Sequence, residues 1–218
     1  MADAKPCISV LAGTNGAGKS SIAGALVRAT GGAYFNPDDA ARRLRELTPG
    51  LSAQEANSRA WAMGVEQLKS AISKHTEYVF ENTLGGRTIT NLLLRALDAG
   101  LEVRIWYAGL SGAELHIARV AARVAKGGHD IPKADIRRRY VEGQRNLIRL
   151  MPRLTELQIY DNSAEADPST SALPKPVLVL HMREGKIHGP RDLRTTPEWV
   201  KALVAAALKL QNLKDLGG

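Results

Sequence analysis

One cysteine, Cys7, stands alone in 218 residues, so no internal disulfide can form and an apolar core must hold the fold. An isolated thiol inside an apolar run reads as a small buried residue in a reducing compartment. Aromatic residues are also few, 5% of the chain with Phe 2, Trp 3 and Tyr 5, and they form no repeated platform for stacking single-stranded nucleic acid. No apolar run approaches the length of a membrane span, and the opening Met1-Ala2-Asp3-Ala4-Lys5-Pro6 is too short and polar for a signal peptide. The expectation is a cytoplasmic protein with no membrane partner. Hydrophobic residues make up 44% of the sequence, enough for a sizeable core. No internal repeat or shift in composition marks a second unit, so one domain is expected over 1–218. Lys and Arg number 30 against 22 Asp and Glu, a net charge of +8 that suits an anionic partner without naming it.

What the sequence does contain is Gly13-Thr14-Asn15-Gly16-Ala17-Gly18-Lys19-Ser20, directly after the apolar run Cys7-Ile8-Ser9-Val10-Leu11-Ala12. This is the G-x-x-x-x-G-K-[ST] phosphate loop in its proper context of strand, turn and helix. Glycines let backbone N–H groups close around phosphates, Lys19 reaches the β and γ oxygens, and Ser20 is placed to ligate Mg²⁺. Ser21 and the apolar positions after it continue in helical period, so the loop opens onto a helix N-terminus that favours phosphate. A nucleoside triphosphate is the expected ligand.

Apolar β-rich runs alternate with longer segments of helical period, the pattern of an α/β fold with a parallel sheet and crossover helices. Strands are predicted over 7–12, 33–35, 78–81, 102–109 and 157–161, with a late hairpin over 177–182 and 186–189. Helices are predicted over 19–30, 37–47, 52–74, 87–99, 112–126 and 132–149. The turn-rich segment 167–176 reads as a surface loop, and 197–210 as an amphipathic helix packed back on the domain.

A phosphate loop alone leaves kinases, GTPases, motor ATPases and transporters open. No N-K-x-D reads guanine, no ATP-cassette signature occurs, and the chain is too short for a motor domain with its accessory lobe. A small-molecule kinase remains, and it needs a base, an acceptor pocket and cations over the transferred group. Asp38, in Asn36-Pro37-Asp38-Asp39 after the second strand, is the candidate base, although the same residues would also cap a helix. Glu81 closes the third apolar run, where an acid approaches the metal or an acceptor hydroxyl; Thr83 and Arg87 follow on the exit loop. Arg119 and Arg123 share one helix face, Gly127-Gly128 end that helix, and Pro132 begins another that carries Arg137-Arg138-Arg139. Folded over the site, 119–140 would form a lid whose arginines neutralise the phosphoryl group. Successive helix positions diverge by about 100°, so at least one of the three faces solvent. Arg138 is the candidate among them, although sequence does not separate it from Arg139. His129 has no paired His or Cys nearby, so its expected role is to order the loop.

Together, GTNGAGKS, Asn36-Pro37-Asp38, Glu81-Asn82-Thr83-Leu84, the Arg119 to Tyr140 segment and Tyr160-Asp161-Asn162-Ser163 resemble the short branch of the zeta-toxin-like P-loop kinases, over roughly 7–163. The resemblance implies a three-layer fold with parallel strands in the order 2-3-1-4-5 and an arginine-bearing helical lid. It also implies ATP and Mg²⁺ as cofactors and an alcohol group as phosphoryl acceptor. Characterised zeta toxins phosphorylate the sugar of UDP-N-acetylglucosamine on a ring hydroxyl and are restrained by an antitoxin. By resemblance Asp38 takes the acceptor proton, residues 13–21 hold ATP, and Ser20 and Glu81 stand at the metal. Glu81 and Thr83 face the nucleotide sugar, and Arg119 or Arg123 joins one of Arg137 to Arg139 on the γ-phosphate. One departure stands out: where zeta toxins carry an Arg two residues after the Thr, this chain has Gly85, so that either Arg87 substitutes from the next turn or the acceptor differs. The competing class is an ATP-switched regulatory or nucleic-acid-binding module, for which the net charge speaks but the missing aromatic platforms do not.

Overall fold

The computed structural model describes residues 5–31, 34–164 and 175–216. Strand β1 (Cys7–Ala12) leads through the phosphate loop into α1 (Ser20–Thr30), followed by α2 (Pro37–Leu47) and α3 (Ala53–Lys74). Then come β2 (Tyr78–Asn82), α4 (Arg87–Asp98), β3 (Glu102–Gly109), α5 (Ala113–Val124) and α6 (Lys133–Leu150). The chain continues with β4 (Glu156–Asp161), the hairpin β5 (Val177–Arg183) and β6 (Lys186–Gly189), and α7 (Lys201–Leu216). The six strands lie in the order β2-β1-β3-β4-β5-β6, with β2, β1, β3 and β4 parallel and β5 and β6 antiparallel. The α/β class is as predicted.

Of the strand predicted over 33–35, only an isolated parallel bridge from Phe35 to Phe80 is present, and residues 32–33 lie outside the described part. Counted with that bridge, the parallel order is the expected 2-3-1-4-5. The pairing is brief because Asn36 caps α2 at once, accepting from the backbone N–H groups of Asp38 and Asp39. Of the predicted loop 167–176, residues up to 174 lie outside the described part.

Period-two alternation sorts the central strands onto two cores. Ile8, Val10 and Ala12 of β1 and Val103, Ile105 and Tyr107 of β3 face the larger core, with residues of α3, α4, α6 and α7. Leu11, Trp106 and Ala108 face the opposite side, where Ile22 and Leu26 of α1 pack. Ser52 and Glu55 form a reciprocal capping box at the start of α3. α5 ends as Gly127 takes a φ of +85° and the Gly128 N–H reaches back 3.0 Å to the Arg123 carbonyl. Ile117, Val120, Ile131 and Ile136 then give α5 and α6 a small core of their own. The C-terminal segment starts in a short 3-10 turn and reaches Leu216, beyond the predicted end at 210. Trp199 in that turn donates from Nε1 to Asp161 at 3.1 Å and sets its six-membered ring against Gly109, where a Cβ would fall 2.0 Å from it. No described helix is long and apolar enough to cross a membrane.

α5 also buttresses the phosphate loop. His116, only 1% exposed, bonds from Nδ1 to the Asn15 carbonyl at 2.9 Å. Burial pushes its pKa down to about 4, and nearby Lys19 and Arg119 add to the shift, so the ring is neutral and donates from Nδ1. Because the unfolded chain takes up this proton near pH 6.5, stability falls as pH drops from there through about 4. The contribution lost is about 3 kcal/mol. Denaturant titrations across that range are expected to show a steeper loss for wild type than for His116→Asn, which keeps a donor but no titrating group. A separate expectation concerns the C-terminal turn: Gly109→Ala forces the Trp199 ring out and lowers unfolding free energy by about 2 kcal/mol, read by urea denaturation.

Candidate phosphoryl-transfer site

The phosphate loop is shaped by close approaches that leave no room for side chains. Gly13 has a φ of +142° and would place a Cβ 2.3 Å from the Ala108 carbonyl of β3; Gly18, at +72°, would meet Asn162 at 2.3 Å. Asn162, buried after β4, donates from Nδ2 to the Ala17 carbonyl at 2.9 Å and to Ser21 Oγ at 3.2 Å. Ser21 in turn donates to the Gly18 carbonyl, so its hydroxyl belongs to the loop's framework and not to its mouth. Thr14 and Ala17 are buried, with the Ala17 N–H bonded to the Thr14 carbonyl at 3.0 Å. Among the described residues, the N–H groups of Gly16, Gly18, Lys19 and Ser20 have no backbone acceptor. They form a cluster of donors suited to an anion.

Lys19 is held at the loop's edge. Its ammonium donates to the Gly13 carbonyl at 2.9 Å and lies 3.3 Å from Glu81 Oε1. Asn36 Nδ2 donates to the other Glu81 oxygen at 3.4 Å while its Oδ1 caps α2 at the Asp38 N–H, 2.9 Å away. One Asn therefore serves as both helix cap and site residue, and it fixes the start of α2, with Asp38 exposed, beside Glu81. Tyr34, just before it, has its hydroxyl pKa raised by burial and by the Glu81 charge.

A cleft of about 540 Å³ opens in front of these residues. Lys19, Asp38, Glu81 and Thr83 line it, together with Arg138 and Arg139 from α6. Arg87, the first residue of α4, is exposed and does not line it; Gly86 and Thr88 on either side do. The three consecutive arginines part ways. Arg137 pairs with Glu114 on the surface, at 2.8 Å from Nε and 3.2 Å from Nη2. Arg138 bonds the Gly85 carbonyl at 3.1 Å and Asp135 at 3.0 Å. Arg139 bonds Asn15 Oδ1 at the tip of the phosphate loop at 2.9 Å, and no carboxylate among the described residues pairs with it. Its stem fills the space above Gly85, where a Cβ would fall 2.6 Å from Arg139 Cγ. Gly85 is thus the residue that lets α6 bring a guanidinium down to the loop.

Arg119 and Arg123 are elsewhere. They line a second cavity of about 490 Å³ with Lys126, Gly127 and Gly128. Arg119 donates to the Ser163 and Ala164 carbonyls at 3.5 and 3.1 Å, and Arg123 to the His129 carbonyl at 3.1 Å. His129 does order its loop: its Nε2 lies 3.1 Å from Asn57 Nδ2 of α3, across the mouth of the main cleft.

For Mg²⁺, the hydroxyl of Ser20 is exposed at the start of α1 and the Glu81 carboxylate stands beside Lys19. No group of three His, Cys, Asp or Glu side chains among the described residues is arranged to hold a metal unaided. Such hard oxygen donors in small number fit an ion that keeps its waters and shares phosphate oxygens.

His116 carries no sequence signal of its own: it looks like an ordinary helix residue, and only the fold brings it to the phosphate loop. Asn162 belongs to the 160–163 motif, but its bonds to the loop are visible only in the fold. Trp61 had a signal: it stands off the buried stripe of α3, formed by Ala56, Ala60, Gly64 and Leu68.

Known proteins share the sequence family and the fold. The AAA domain family model matches residues 8–140. A Haemophilus influenzae protein described as uncharacterized is 30% identical over 128 residues, 59% of this chain and 88% of its own. A chain of the AvrRxo1-ORF1:-ORF2 complex aligns with TM-score 0.63 at 15% identity, over 94% of this chain and 71% of that one. The same complex with ATP aligns with TM-score 0.63 at 16% identity, over 94% of this chain and 64% of that one. The PezAT chromosomal toxin-antitoxin system of Streptococcus pneumoniae aligns with TM-score 0.55 at 18% identity, over 79% of this chain and 75% of the matched chain. The likeness in fold extends past the family match to the sheet's far edge. With its phosphate loop inside the matched residues, this chain belongs to the AAA domain family.

Proposed function

We propose that this protein is an ATP- and Mg²⁺-dependent phosphotransferase that moves the γ-phosphoryl group of ATP to a hydroxyl of a small anionic acceptor. The carrying observation is that one cleft holds an exposed carboxylate at Asp38, the phosphate-loop Lys19, and Arg139, a guanidinium with no carboxylate partner among the described residues. A base, a donor grip and a free cation around one space are what in-line phosphoryl transfer needs.

In this reading, residues 13–20 cradle the phosphates with their free N–H groups and Lys19. Ser20 and Glu81 hold Mg²⁺, which when bound offsets charge on the β and γ oxygens. Asp38 accepts the hydroxyl proton as the acceptor oxygen bonds to the γ-phosphorus. The bond from that phosphorus to the β–γ bridging oxygen breaks, and ADP leaves with the electron pair. Lys19, Arg138 and Arg139 oppose the charge that develops. Arg119 and Arg123 act from the second cavity, tethering the lid through the 163–164 carbonyls and His129.

A nucleotide sugar of the UDP-N-acetyl amino sugar class is the favoured acceptor, on the resemblance to zeta toxins, with Glu81 and Thr83 facing it. The Arg that zeta toxins carry at the Gly85 position has a counterpart in Arg139, whose side chain occupies that space. Likeness in fold to a chain of a toxin-antitoxin system supports a toxin's role with a protein antitoxin as partner.

Mass spectrometry of a cell metabolite extract incubated with protein and ATP is expected to show a new phosphorylated species with wild type and none with Asp38→Ala. Identical spectra for the two would defeat the proposal. Arg139→Ala is expected to lower kcat/KM by about a hundredfold. Arg137→Ala, which removes a surface ion pair, is expected to leave it within about twofold.

A further inference from the structure

The acceptor end of the main cleft carries a feature that phosphoryl transfer does not use. Trp61, on α3, lines the cleft and is 49% exposed, whereas the other two tryptophans, Trp106 and Trp199, are 3% and 7% exposed. A lone apolar side chain on a convex surface needs no explanation. This one forms part of a concave wall, one helical turn from Asn57 and beside Ser58, both of which also line the cleft. The cleft's other walls supply Thr83 and Thr88, and its cations Arg138 and Arg139. An open indole face, side chains that both donate and accept, and cations in one cleft match a flat heterocycle joined to an anionic group. A small aliphatic alcohol would leave the indole in water.

We infer that Trp61 is the platform on which the planar base of the proposed nucleotide acceptor stacks, which makes that base a determinant of specificity. The base lies against the indole, Asn57 and Ser58 meet its polar edge, and its phosphates turn toward Arg138 and Arg139. The inference rests on the phosphotransferase reading for the word acceptor. Its test is a binding measurement that needs no turnover.

With the donor site saturated by a nonhydrolysable ATP analogue, the holoprotein is titrated with the uridine, cytidine and guanosine diphosphates, and with inorganic pyrophosphate as the ring-free control. Trp106 and Trp199 are buried out of a ligand's reach, so a change in tryptophan emission on adding nucleotide reports on Trp61. At least one nucleoside diphosphate is expected to quench it saturably, and pyrophosphate is not. In calorimetry, Trp61→Ala is expected to weaken that nucleotide's binding roughly tenfold. Trp61→Phe, which keeps a stacking face, should restore most of it. The exposed position makes folding of both variants a modest demand, checked by circular dichroism. The inference is overturned if no nucleoside diphosphate quenches beyond pyrophosphate, or if Trp61→Ala binds the quenching nucleotide as tightly as wild type. Quenching and weakened binding without any phosphorylated product would instead count against the transfer chemistry and leave the stacking platform standing.

Discussion

The phosphate loop's backbone touches its neighbours at distances that only glycine permits, and the surrounding structure is arranged around that constraint. Gly13 lies on β3, Gly18 under Asn162, and Gly16 against the His116 carbonyl of α5. Each contact brings a different part of the chain to the same eight residues. The parallel pairing of β1 with β2 and β3 sets the height of the loop above the sheet. The neutral His116 then fixes its tip from the side without placing a second positive charge beside Lys19. A loop held this firmly presents its N–H groups already oriented, so little ordering is left to the ligand.

Charge is distributed with the same economy. Glu81 balances Lys19 and Asp135 balances Arg138, but Arg139 meets only the neutral Asn15 side chain. A half-buried guanidinium without a counter-charge is unfavourable unless an anion arrives. It is also placed within reach of the phosphate loop, where an anion is expected. Gly85 makes this possible, and its absence of a side chain is a structural requirement of α6 rather than a gap in the site.

Much of the donor half was legible in the sequence. The phosphate loop, the helix behind it, the acid at the end of β2 and the Asn-Pro-Asp turn all announce themselves by local pattern. The turn at Asn36 to Asp38 was ambiguous between cap and site because the two uses share a geometry: Asn36 caps α2 and also bonds Glu81, with Asp38 lining the cleft beside them. The arginines were legible as a group but not individually. Their helix is set by periodicity, whereas the direction each side chain takes depends on how α6 rolls against α4 and α5. Arg119 and Arg123, well placed by spacing, turn to a separate cavity because α5 buries its other face through its own His116, Ile117 and Val120.

Sequence by itself determined the class of fold, the parallel strands and the phosphate-loop motif, since these rest on period, composition and short-range turns. Tertiary structure alone decided which cation reaches the loop, why Gly85 lacks a side chain, and that Trp61 faces a cleft instead of open solvent. Those depend on contacts between residues tens of positions apart, whose closeness is set by the packing of whole helices on the sheet.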